Sequence, residues 1–116
     1  MAADAALGSG MIRKEAPSYP VSIFMAGDIA AATDYARRYC DDNGFCVTIT
    51  PTVYVYTGGQ EAGFIVGLVN YPRFPLSPDA LWEAAETIAA YLRERLYQDS
   101  YTIQAPDRSV WISHRQ

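Results

Sequence analysis

Val21-Ser22-Ile23-Phe24-Met25-Ala26 is a short apolar run bounded by Pro20 and by Gly27-Asp28, the pattern of a buried strand. Asp28 offers an N-cap for a helix over Ile29 to about Asp42. There Ala32, Tyr35, Ala36, Tyr39 and Cys40 recur at helical spacing, and Asn43-Gly44 supplies the stop. From Phe45 the period changes to two, with Phe45, Val47 and Ile49 on one side and Cys46, Thr48 and Thr50 on the other. Pro51 has no N–H for a sheet ladder, so this strand must bend, bulge or lie at an edge before Val53-Tyr54-Val55-Tyr56 resumes it. Thr57 to Gly63 reads as a turn-rich hairpin tip, and Phe64 to Tyr71 as the returning strand.

Pro72-Arg73-Phe74-Pro75 is a stiff connector, because each proline biases the residue before it towards extended backbone. Ser77-Pro78-Asp79 opens a second helix with an N-cap, a proline in the first turn and an acid near the positive end of the dipole. Leu81, Ala85, Ile88, Leu92 and Leu96 form its inner stripe, and the pattern runs to about Asp99. Tyr101 to Ala105 alternates again, Pro106 to Ser109 has the composition of a turn, and Val110-Trp111-Ile112 closes the chain with a strand or hairpin. The order βαββαβ predicts an α+β protein of ferredoxin-like type: an antiparallel sheet with two helices on one face and an extra C-terminal strand. Residues 16–116 form a single domain in this reading. Residues 1–15, with their Gly-Ser-Gly at positions 8–10, are a disordered extension or an expression scar.

Half of the 116 residues are apolar, enough for one core without metal or disulfide staples. A net charge of −4 gives no overall field to attract phosphate backbones or anionic lipid, so neither nucleic acid nor membrane is an expected partner. The chain holds no apolar run of about 20 residues and no signal-like start, so a cytoplasmic location is the expectation. Lys14 is the single lysine among nine basic residues, which fits a GC-rich bacterial or phage genome.

Charge is scarce where the hairpin should be: between Asn43 and Pro78 only Glu61 and Arg73 are charged. Val53 and Val55 alternate with Tyr54 and Tyr56, while Phe64, Val66 and Leu68 alternate with Ile65, Val69 and Tyr71, so both faces of the hairpin read as needing cover. Two helices cover one face. The other is expected to meet a second copy or another protein through Tyr54, Tyr56, Val69, Tyr71 and Trp111, aromatic-rich positions of the kind enriched in interfaces. On this reading the chain is a noncatalytic interaction or oligomerisation module, a homodimer or the partner of another protein. The alternative is a small-molecule-binding domain or small α/β enzyme with a pocket between sheet and helices, lined by tyrosines and Arg73.

Cys40 and Cys46 match neither a CxxC redox motif nor a zinc knuckle, and they read as two buried thiols, with no metal or cofactor expected. His114 stands near the C-terminus without an evident orienting partner. Thr57-Gly58-Gly59 lacks the lysine and following helix of a phosphate-binding loop. Gly63 to Val69 lacks the leading basic residue and two of the aromatics of an RNA-reading strand. Arg73 and Phe74, held between Pro72 and Pro75, form a preorganised contact for a ligand or partner, against the alternative that Phe74 packs into the core.

Overall fold

The computed structural model describes Gly8 and residues 10–115. The expected extension over residues 1–15 therefore lies outside the described residues at positions 1–7 and 9. Seven elements follow in the order β1 (Val21–Ala26), α1 (Ile29–Asn43), β2 (Thr48–Tyr56), β3 (Gly59–Leu68), α2 (Pro78–Arg95), β4 (Ser100–Ala105) and β5 (Arg108–Ser113). The protein is α+β, with two helices and one five-stranded antiparallel sheet of order β2-β3-β1-β4-β5.

Register and period two decide the two faces of the sheet. Ile23 stands opposite Val66 on β3 and Ile103 on β4, and all three are fully buried beneath the helices. Val21, Met25, Phe64 and Leu68 extend the same layer. Leu81, Ala85, Ile88 and Leu92 of α2 close over it, and the α1 stripe adds Ala32 and Ala36, small enough for the helices to approach. Tyr39 and Tyr91 seal the seam between the helices edge to face, with ring centroids 5.3 Å apart.

Both helices start where their caps dictate. The Asp28 carboxylate accepts from the amides of Ala30 and Ala31, and the Ser77 hydroxyl accepts from Ala80 at 3.1 Å. Gly44, left-handed at φ 63°, ends α1. The end of α2 differs from the sequence reading: the helix stops at Arg95, four residues before Asp99, with no glycine to mark it. Tyr97 takes the left-handed position at φ 55°, and the Gln98 amide reaches back to the Arg93 carbonyl at 3.1 Å.

Pro51 is accommodated because β2 is an outer strand whose free edge asks for no N–H. The hairpin tip is tighter than the sequence suggests. Pairing runs without interruption to Tyr56 opposite Gly59, so only Thr57 and Gly58 turn, and Gly58 provides the required positive φ of 90°. The connector after β3 is stapled by Asn70, a buried polar side chain whose amide donates to Pro17 O and accepts from Leu76 N, both at 2.8 Å.

Tyr97 is 93% exposed, so its side chain contributes little packing in exchange for the left-handed backbone. Replacing Tyr97 with Gly is expected to raise stability by about 1 kcal/mol. In urea unfolding this appears as a higher midpoint with an unchanged slope.

Candidate functional site

The uncovered face carries the opposite parity. Ser22, Phe24 and Ala26 of β1 lie there, flanked by Ile65 of β3 and Thr102 of β4, with Thr48, Thr50, Thr52 and Tyr54 further out on β2. Most of these positions are hydroxyl-bearing, so the face is polar without being charged. Phe24 and Ile65 are half-buried.

At one end of this face the sheet opens into a cleft of about 230 Å³. Phe24 and Ala26 at the end of β1, and Ser100 and Thr102 at the start of β4, form its floor. Tyr54 and Glu61, cross-strand partners on the hairpin, wall one side, and Gln98, Asp99 and Arg115 wall the other. The left-handed Tyr97 turns the chain so that Gln98 and Asp99 arrive at this position rather than continuing a helix.

Tyr54 is fixed from below and from its tip. Its ring lies across Gly63, where a Cβ would collide with the ring and with the Met25 carbonyl. Its hydroxyl stands 3.0 Å from the Phe64 carbonyl and 3.2 Å from that of Met25, sharing its proton between them. Burial pushes the phenol above its usual value of 10.0; the carboxylate of Glu61 adds to this, and the bond to Met25 opposes it. Tyr54 is therefore a neutral, rigid wall at physiological pH.

Formal charge in the cleft is two carboxylates and one guanidinium. Arg115 Nε contacts Asp99 Oδ2 at 3.3 Å, and the Asp99 carbonyl accepts from the His114 amide at 2.9 Å. Glu61 forms no ion pair among the described residues. The cleft thus holds a net negative charge, with the rings of Phe24 and Tyr54, the hydroxyls of Ser100 and Thr102 and the amide of Gln98 among the groups around it.

A second, more apolar cavity of about 300 Å³ lies at the other end of the hairpin, lined by Phe45, Cys46, Val69, Tyr71, Phe74 and Leu76. It contains no carboxylate and no cation. Arg73 lies outside it, its guanidinium 5.2 Å from the Phe74 ring centre. Phe74 is 70% exposed rather than packed in the core. Cys46 is exposed, not buried as the sequence suggested, with its thiol 3.7 Å from the Tyr71 hydroxyl.

The seven positions singled out from the sequence therefore separate. Tyr54 enters the anionic cleft, whereas Val69, Tyr71 and Phe74 meet in the apolar cavity with Arg73 beside it. Tyr56 stands exposed at the hairpin tip, and Trp111, 60% exposed, projects from β5 opposite Thr102. Glu61, Asp99 and Arg115 escaped the sequence reading because they are distant in sequence and belong to no motif. The one available signal was that Glu61 is the single acid in the hairpin. Among the described residues no group of three His, Cys, Asp or Glu side chains could hold a metal, and no helix is long and apolar enough to cross a membrane.

No family model and no curated protein matches the chain. Two solved structures do. A phage SAM lyase in complex with S-methyl-5'-thioadenosine superposes with a TM-score of 0.65 at 16% identity, covering 90% of this chain and 96% of that one. A phage SAM lyase in the apo state gives 0.64 at 15% identity, covering 92% and 98%. This chain has their fold. The expectation of a noncatalytic interaction or oligomerisation module is thereby overturned: nine-tenths of the chain adopts the architecture of an enzyme that binds a small nucleoside. The physical reason lies in the open face, where threonine, serine and glycine do the solvating that charge was expected to do.

Gly63→Ala is expected to destabilise the fold by about 1–3 kcal/mol, since the methyl must displace either the Tyr54 ring or backbone. Thermal or urea unfolding measures this. A companion Tyr54→Ala change should relieve part of the loss, as a shared contact requires. Tyr39, Tyr54 and Tyr101 are all raised above 10.0 chiefly by burial, so the folded state holds these protons more tightly than the unfolded chain. Their contribution to stability is whole below about pH 10 and is lost as pH rises through the folded values. Urea midpoints measured from pH 8 to 11.5 should begin to fall above about pH 9, where the Cys40 thiol, also raised from 9.0 by burial, starts to titrate in the unfolded chain, and fall further beyond pH 10.

Proposed function

We propose that this protein binds a cationic sulfonium nucleoside of the S-adenosylmethionine type in the anionic cleft and cleaves it as a lyase. The single observation that carries this reading is the cleft itself, with unpaired Glu61 beside aromatic Phe24 and Tyr54, within a fold shared almost end to end with a SAM lyase. The strand order β2-β3-β1-β4 supports a ferredoxin-like description of its four-stranded core, with β5 as an added edge. Of the residues nominated from the sequence, Tyr54 takes a part here. The apolar cavity that gathers Val69, Tyr71 and Phe74 offers no counter-charge for a sulfonium.

In such a substrate the bond between sulfur and the amino-acid chain breaks with both electrons passing to sulfur, which becomes a neutral thioether. The four-carbon fragment balances the step internally, through its own carboxylate or by losing a proton, and no water is consumed. A carboxylate at Glu61 draws in the positive substrate and loses its hold once sulfur is neutral. Phe24 and Tyr54 present faces for the base, and the Ser100 and Thr102 hydroxyls suit the ribose.

Incubation with S-adenosylmethionine, read by chromatography, is expected to release methylthioadenosine. Its absence at enzyme concentrations equal to substrate would overturn the lyase reading. Glu61→Gln is expected to weaken binding of S-adenosylmethionine about threefold, the equivalent of about 0.6 kcal/mol for an exposed charge pair. Binding of neutral methylthioadenosine should remain unchanged in titration calorimetry.

A further inference from the structure

Arg115 meets Asp99 with Nε 3.3 Å from Oδ2, and among the described residues it forms no other ion pair. A guanidinium carries five N–H donors, so a pair with one carboxylate leaves donors for a second carboxylate in the cleft. The side chain is also placed by backbone: the Arg115 amide donates to Ser113 Oγ at 2.9 Å, and Ser113 pairs with Ser100 at the end of the β4–β5 ladder. Both partners remain more than half exposed, so this ion pair adds little to stability and opens cheaply to a ligand.

We propose that Asp99 and Arg115 form a clamp for a zwitterionic amino acid, Arg115 taking the α-carboxylate and Asp99 the α-ammonium, which makes the cleft prefer nucleosides whose sulfur carries an α-amino acid chain over those that lack it. The inference rests on the sulfonium-nucleoside reading of the same cleft and adds which end of the ligand lies where. Glu61 and the Asp99–Arg115 pair wall opposite sides of the cleft. A ligand with a sulfonium next to an amino acid carries plus, plus and minus; the cleft presents minus, minus and plus. Among the described residues Arg115 is the one cation lining the cleft, so it is the side chain there that can neutralise the carboxylate.

The test compares S-adenosylhomocysteine with methylthioadenosine by titration calorimetry, since neither carries a sulfonium to be cleaved and they differ in the amino-acid moiety. The wild-type protein is expected to bind S-adenosylhomocysteine at least tenfold more tightly. Arg115→Gln and Asp99→Asn should each remove most of that preference while leaving methylthioadenosine affinity unchanged, and Arg115→Lys should restore part of it. Equal affinity of the wild type for the two ligands, or variants that weaken both equally, would overturn the clamp while leaving the nucleoside reading intact. Failure of the wild type to bind S-adenosylmethionine, S-adenosylhomocysteine or methylthioadenosine overturns the nucleoside reading, and the clamp with it.

Discussion

The pairing of β1 between β3 and β4 is the constraint on which the remaining structure depends. With Ile23 fixed opposite Val66 and Ile103, alternation sends Val21, Ile23 and Met25 under the helices and Ser22, Phe24 and Ala26 to the other side. A slip of one residue would exchange the two sets, exposing the core and burying a serine. The same register delivers Ala26 and Gly63 to adjacent places, and Gly63 is the position across which the Tyr54 ring lies. One wall of the cleft is therefore a consequence of how the central strand pairs, and the other follows from how α2 ends.

Much of this frame was legible in the chain because short-range chemistry wrote it. Asp28, Gly44, Ser77 and Pro78 mark helix ends through bonds made within a few residues, and period two marks the strands regardless of what they pack against. The end of α2 was not legible, since Tyr97 enters the left-handed region without any residue type that favours it. Its position is over-determined instead by the Gln98 amide on Arg93 and by the start of β4. A non-glycine residue held in this conformation is a local conflict, and here it lies immediately before two residues of the cleft.

The site was less legible for a different reason. Tyr54, Glu61, Asp99 and Arg115 span more than half of the chain, and the antiparallel ladders from β2 to β5 bring them to one end of the sheet. Counting charges also misjudged the open face. A strand such as Thr48-Ile49-Thr50-Pro51-Thr52 carries none, yet its threonines lie on the open face, where a hydroxyl can be solvated without any cost of burying charge. Such a face needs no protein partner to keep it solvated. It also differs from a hydrophobic interface in leaving its few aromatic side chains separated: Tyr54 is bound down over Gly63, while Trp111 lies across β4 and β1 from it.

On the sulfonium-nucleoside reading, a polar, weakly charged surface around a small anionic cleft would have a consequence for turnover. Were the whole face acidic, a cationic nucleoside would be attracted everywhere and retained after its charge had gone. Concentrating the negative charge at Glu61 and Asp99 would confine attraction to the cleft, and Arg115 limits it to an excess of one carboxylate. A ligand whose sulfonium became a thioether would lose the interaction with Glu61 and keep only what the rings of Phe24 and Tyr54 offer. The cleft is a groove at a sheet end rather than an enclosed cavity, so these rings would hold a neutral product weakly. On that reading, selectivity for a charged substrate over its neutral product would reside in the charge of the cleft.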